Sequence, residues 1–288
     1  MPDDDDELWP PFYPPRRPER SGRGGRSPAD RREEQVQDRV ARMWDQGRPP
    51  AHRGRALSRD EIVRTAIAVA DAEGPHAISM RRIARELNAG AMSLYWHVSS
   101  KEELLDLMLD AIHGEITDVK ITGDVRADLR ALAVSQRELL RRHRWVMPFM
   151  AGRPPMGPKS LRNIERSLGV FAGHNLPGMT AMNMLTTVIT YVMGVVGREQ
   201  QEERSQQDTE RAQERLGLSG EEMRDVFWQF MQQVMESGRY PNFTEMIKQG
   251  VDPDAIETQD ERFEFGLDCL LDGLVARLGP ATGGAGRD

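Results

Sequence analysis

The chain has 288 residues, 38% of them hydrophobic and 30% charged, and a formal net charge of −7. Its single cysteine, Cys269, excludes an internal disulfide and a cysteine-cluster metal site, and its six scattered histidines form no pair at metal-ligand spacing, so neither metal nor cofactor is expected. No apolar run reaches the roughly 18 residues that span a bilayer, and the acidic start MPDDDDE lacks the features of a secretory signal; the expectation is a soluble, cytoplasmic protein with no membrane partner.

Residues 1–57 contain paired prolines, the Arg-Gly run RSGRGGRSP and few aliphatic side chains, too little apolar surface to offset the entropy of ordering. They are expected to be a disordered tail. Within them ADRREEQVQDRVARMWD reads either as a transient helix or as a solvated linker. RPPAHRGRA, at the end of the tail, is basic and abuts the ordered part, so Arg53 and Arg55 are candidates for a DNA-contacting arm. Between Arg48 and Lys101 nine bases face five acids, a local charge of +4 against −11 for the rest. A basic block on an acidic body suits a division of labour in which one end meets phosphates.

From Ser58 helical periodicity begins. Ser58 with Glu61 reads as a capping box, and Ile62, Ala66, Val69 and Ala70 form one stripe before Gly74-Pro75. Ser79 caps a short helix over Met80–Leu87, Asn88-Ala89-Gly90 is a break, and Ala91–His97 is a second short helix. Ser100 with Glu103 reads as another capping box, opening a long helix to about Lys120 with Leu104, Leu105, Met108, Ile112 and Ile116 inward. Two short helices joined by a Gly-containing turn make a helix-turn-helix, whose second helix enters a DNA major groove. Residues 58–120 are therefore one expected domain.

Further helices are expected over 125–143, 157–173, 179–203, 219–236 and 260–278, with a short piece at 146–151 and no convincing strand. The fold class is all-α: a second helical domain over 121–279, then a flexible terminus over 280–288. Apolar stripes on the 179–203 and 260–278 helices exceed what one bundle edge needs, which points to packing on a second copy.

Tyr95, Trp96 and His97 stand in consecutive positions on the second short helix. If Leu94 anchors that helix, steps of about 100° put Met92 and Trp96 nearly opposite it, with Ser93 and Tyr95 on the flanks. Trp96 then points outward, either to pack on the following helix or to meet thymine methyls, sugars and phosphates; the basic surroundings and the turn favour DNA.

The run LNAGAMSLYWHVSSKEELLDLM resembles the DNA-binding end of the tetracycline-repressor (TetR) family, and FEFGLDCLLDGL resembles the C-terminal domain of its actinobacterial branch. The resemblance implies a homodimer on a palindromic operator, released by a small-molecule effector. It assigns base-facing positions to Arg81, Ser93 and Trp96, and phosphate-facing ones to Tyr95, His97 and Lys101. Ala91 and Met92, at sequence-reading positions, cannot make a bidentate hydrogen bond. Where the tetracycline repressor has a drug-contacting His and a metal-binding His, this chain has Thr117 and, nearby, Phe149, so a metal-tetracycline effector is not expected. Phe149, Met150, Phe171, Met182, Tyr191 and Phe227, with Trp145, Met147, Met156 and Trp228, are candidates to line a pocket for an apolar effector, or are ordinary core. The function expected is a ligand-responsive repressor and not an enzyme. The alternative is a helical enzyme or ligand carrier with a vestigial DNA-binding module, although the sequence offers no nucleophile–base pair or phosphate loop for it.

Overall fold

The computed structural model describes residues 37–38, 40–44, 57–116, 119–150, 157–217, 219–250 and 255–278. Residues 40–44 are helical. Most of the expected tail, the terminus at 280–288, Arg53, Arg55, Thr117 and Met156 lie outside the described residues. The chain divides into compact units at 1–42 and 43–288, and every helix from Arg59 onward belongs to the second.

No strand occurs among the described residues. Helix α1 (Arg59–Glu73) buries Ile62, Val63, Ala66, Val69 and Ala70; its first turn is capped by Ser58 Oγ, which accepts from Glu61 N, and it ends at Gly74 with φ 84°. Helix α2 (Met80–Glu86) is capped by Ser79, and α3 (Ala91–Tyr95) follows. The left-handed residue of the turn between them is Asn88, φ 50°, while Gly90 has an ordinary φ of −72°. Helix α4 (Lys101–His113) packs on α1. It stops seven residues short of the expected end: Gly114 N and Glu115 N turn inward to Ala111 O and Ile112 O, and a side chain at 114 would lie 2.7 Å from Lys159.

The C-terminal helices are α5 (Val125–Arg142), a single turn α6 (Met147–Met150), α7 (Pro158–Leu168), α8 (Gly178–Leu216), α9 (Gly220–Glu236), α10 (Pro241–Lys248) and α11 (Gln259–Val275). Helix α7 closes in a 3-10 turn, Gly169–Phe171, so the expected 157–173 helix is two pieces. Helix α5 packs against α8 and α11, and α7 bridges α4 and α8. Arg137 on α5 is buried, donates to Glu199 Oε1 on α8 at 2.6 and 3.0 Å, and lies 4.2 Å over the Phe263 ring of α11. Losing either partner of that pair strands a buried charge, so the pair holds the three helices in one register. Helix α8 contains an apolar window with mean hydropathy 1.5, enough by length and composition to cross a bilayer, yet its Leu185, Val188, Val192 and Val196 are buried in the protein core. Exposed apolar side chains remain: Met179, Met182 and Ile189 on α8, Phe227, Trp228 and Phe230 on α9, and Phe265 on α11.

Candidate nucleic-acid interface and effector cavity

Leu94 is the one fully buried side chain of α3, with Ala91 packed partly against the core beside it, and the other side chains of the helix are exposed. Trp96 is 87% exposed, Met92 73% and Tyr95 45%, while Ser93 is exposed and His97 half-buried. Arg81 on α2 and Lys101 at the start of α4 are both exposed.

The residue that orients this surface is one whose local sequence pattern points to a different role. The spacing of Ser100 and Glu103 predicts a capping box. Ser100 Oγ does accept from Glu103 N, but the Glu103 carboxylate, 1% exposed, turns to Ser99 N at 2.9 Å and Arg59 Nη2 at 3.0 Å. Arg59 Nε also donates to His97 O at 3.3 Å, so α1, the end of α3 and the start of α4 meet on one carboxylate. The carboxylate keeps a charge-assisted bond to a backbone N–H, as in a capping box, and adds an ion pair to a guanidinium. A complete capping box forms at Ser219 and Glu222, at the start of α9. Arg82, counted among the bases of this block, is bound to Glu73 and Glu86, both at 2.6 Å, and its guanidinium holds the Glu73 carboxyl below the usual range. Part of the local positive charge is thus neutralised within the domain.

A cavity of about 40 Å³ lies between the end of α4 and helices α5, α7 and α8. Ile116, Leu129, Leu132, Ala133, Leu185, Val188, Ile189 and Val192 supply its apolar walls, with Gln136, Asn163 and Ser167 as the polar ones. Gln136 Nε2 and Asn163 Oδ1 are buried without a hydrogen-bond partner, a cost of about 1–3 kcal/mol for each group.

None of the ten residues named from sequence as pocket candidates is among those that line this cavity. Phe171 is buried elsewhere in the core. Tyr191 stacks on Phe263, with centroids 6.0 Å apart, and donates to Phe263 O at 2.8 Å; Phe149 is half-buried against Trp145, and Met150 is half-buried too. Met182 and Phe227 are exposed, by 40% and 62%. Periodicity shows which side chains leave water but not which border a void, and the void here is walled by aliphatic and amide groups.

Polar groups stitch the helix-turn-helix end to the helical body beside this cavity. His143, 3% exposed, has Nδ1 2.8 Å from Asp71 Oδ1 on α1 and Nε2 3.1 Å from Glu115 Oε2 just after α4; Trp145 Nε1 donates to the same Asp71 oxygen at 2.8 Å. Asp110 of α4 accepts from Lys159 N at 3.1 Å and Ser160 N at 2.8 Å, the first turn of α7. Arg166 of α7 donates to Ile116 O at 3.0 Å.

Residues 62–108 match the family of bacterial regulatory proteins, tetR family, and residues 120–278 match the tetracyclin repressor-like C-terminal domain. The HTH-type transcriptional repressor DrrR1 of Streptomyces coeruleorubidus is 34% identical over 248 residues, covering 84% of this chain and 86% of that protein. The class C tetracycline repressor of Escherichia coli is 26% identical, covering 76% of this chain and 90% of that protein. Among solved structures, ActR of Streptomyces coelicolor in complex with actinorhodin is similar with a TM-score of 0.59 and 29% identity over 79% of this chain and all of that one. With an exposed aromatic helix-turn-helix at one end, an all-helical body at the other and matches that span both, the chain belongs to the TetR family of bacterial transcriptional regulators.

Proposed function

We propose that the protein is a cytoplasmic, non-enzymatic repressor that grips a palindromic operator as a homodimer and releases it when a small apolar effector enters the α5–α7–α8 cavity. The observation that carries the DNA half is Trp96, a tryptophan 87% exposed at the tip of a helix held by one buried leucine. Tryptophans are rarely left that bare without a partner surface. Trp96 and Ser93 face the base edges, with Arg81 reaching the groove from α2; Tyr95, His97 and Lys101 take phosphates, and the Arg53–Arg55 arm follows the minor groove. The effector half rests on the cavity and its two unpartnered amide atoms, and on ActR having been solved with actinorhodin bound. A drug-sized ligand needs roughly 300 Å³ or more, so the cavity must widen to admit one. The exposed apolar faces of α8, α9 and α11 supply the dimer surface.

The test is to incubate the full chain with a random duplex pool, recover what binds, and measure affinity with native and scrambled winners. A selected inverted repeat bound about 10³-fold or more above non-specific DNA is expected. Equal affinity for winner and scramble would remove the operator-binding reading.

A further inference from the structure

Helix α7 has no cap of its own. Its N-cap position is Gly157, which carries no side chain, and its first amides are instead met by Asp110 from α4, 47 residues earlier in the chain. Asp110 is 7% exposed, and Gly157 is itself buried. The fit between them is exclusive: a Cβ at 157 would stand 2.1 Å from Asp110 Oδ1 and 2.2 Å from its Cγ, so the aspartate occupies the volume that any other residue at 157 would need. The second tie, Arg166 Nη1 to Ile116 O, fastens α7 to the chain just past α4. Asn163, between the two ties, Ser167 just past the second, and Ile116 form one side of the cavity, and α5 and α8 form the others.

We infer that Asp110 is the positioning residue that converts widening of this cavity into movement of α4, and with it of the recognition helix; this rests on the effector site proposed above. A body larger than the present 40 Å³ must push α7 away from α5 and α8. A carboxylate accepting two helix-terminal N–H groups in a buried setting is a strong joint, because charge-assisted bonds and the positive end of the helix dipole act together. Helix α4 therefore follows α7 instead of parting from it, and Lys101 and the Glu103–Arg59 anchor move with α4. Without Asp110, α7 moves alone.

The test needs no effector, since a bulky side chain can stand in for one. Ala133, 1% exposed and in the cavity wall, is replaced by Phe in the native full-length chain and in the Asp110→Ala and Asp110→Asn backgrounds, and affinity for the pool-selected duplex is measured in each. Ser167→Leu serves as the second filling variant where Ala133→Phe fails to fold by circular dichroism. Filling is expected to lower affinity at least about five-fold in the native background and not measurably in Asp110→Ala. Asp110→Asn, which keeps the accepting oxygen and the shape, should restore a loss of the native kind. A general weakening of the fold would instead make Asp110→Ala more sensitive to filling, which would count against the inference. Equal losses with and without Asp110, or no loss in the native background, would overturn it while leaving operator binding intact. Failure of the native chain to select any duplex would instead remove the DNA-binding reading, and the inference with it.

Discussion

Two residues apart on one short stretch of chain, Leu94 exposes nothing and Trp96 exposes 87% of its surface. The contrast assigns them different roles: Leu94 stabilises the fold, and Trp96 contributes nothing to it that water does not already provide. Trp96→Ala should accordingly leave the melting temperature within a few degrees of native, since exposed substitutions away from special features shift stability by less than about 0.5 kcal/mol. Affinity for the selected duplex should fall by about 1–3 kcal/mol, the loss of one good contact. Unfolding of this variant would show that the indole packs inside the molecule in solution. Legibility at this scale is uneven. The outward face of α3 follows from 100° steps and one leucine, so Met92, Ser93, Tyr95 and Trp96 could be placed from sequence. The partner of Glu103 could not, because a capping box and an ion pair to a residue 44 positions away leave the same local pattern, and only the arrival of Arg59 decides between them.

At the scale of elements, caps and stripes predicted most helices to within a few residues, and the exceptions have physical causes. The final third of α8, ERSQQDTERAQERL, has no apolar stripe for a periodicity argument to find; it is stabilised by local pairs such as Arg211–Asp208 and Gln206–Glu210, with α8 running to Leu216 instead of 203. Helix α10 is only eight residues long and opens on Pro241. The cavity was illegible because its walls come from three helices and the segment just past α4, and its aliphatic walls do not differ in sequence from ordinary core. The joints between elements make a prediction about acid. Burial works to raise the Asp128 carboxyl, but bonds from Thr122 N, Thr122 Oγ1 and Gly123 N outweigh it and hold the group below its usual value; Glu202 of α8 is likewise opposed by burial and lowered by Gln259, Arg198 and Arg262. A carboxyl depressed in the folded state contributes stability that is present above its unfolded pKa and lost as pH falls through the folded one. Urea midpoints should therefore hold steady from pH 7 down to about 5 and drop below about 4. Asp128→Asn with Glu202→Gln should be less stable at pH 7 and show a shallower acid loss; an unchanged slope would mean that other groups govern acid unfolding.

The molecule leaves apolar side chains of its body uncovered, among them Met182 on α8, Phe227 on α9 and Phe265 on α11, while its basic end is crossed by internal ion pairs. A second copy is the cover proposed for those faces. Met182→Glu combined with Phe265→Glu should shift sedimentation toward a monomer and weaken operator binding, because one subunit engages a single half-site. Sedimentation unchanged from native would place the dimer surface elsewhere. On the DNA side Lys101→Gln should reduce the slope of log affinity against log salt by about 0.9, one phosphate contact, with little change in sequence preference; an unaltered slope would take Lys101 out of the interface.

The aspartate that caps α7 from α4 also bears on how such a protein can be rebuilt. Its two halves look interchangeable, as a reader head on a sensor body, and exchanging heads between relatives is an obvious way to rewire a sensor. Here the head carries the acceptor that finishes a helix of the body, and the body carries the one residue, Gly157, small enough to receive it. A graft that crosses over between residues 110 and 157 must transfer Asp and Gly as a matched pair. A graft with Gly but no Asp leaves α7 with bare amides at its start, and one with Asp but no Gly drives a side chain into the carboxylate. A cut by domain, in the connection between α4 and α5, parts Asp110 from Gly157, whereas a cut before α4 parts Glu103 from Arg59 and Ser99, so a graft at either place must carry the matched residues across with it.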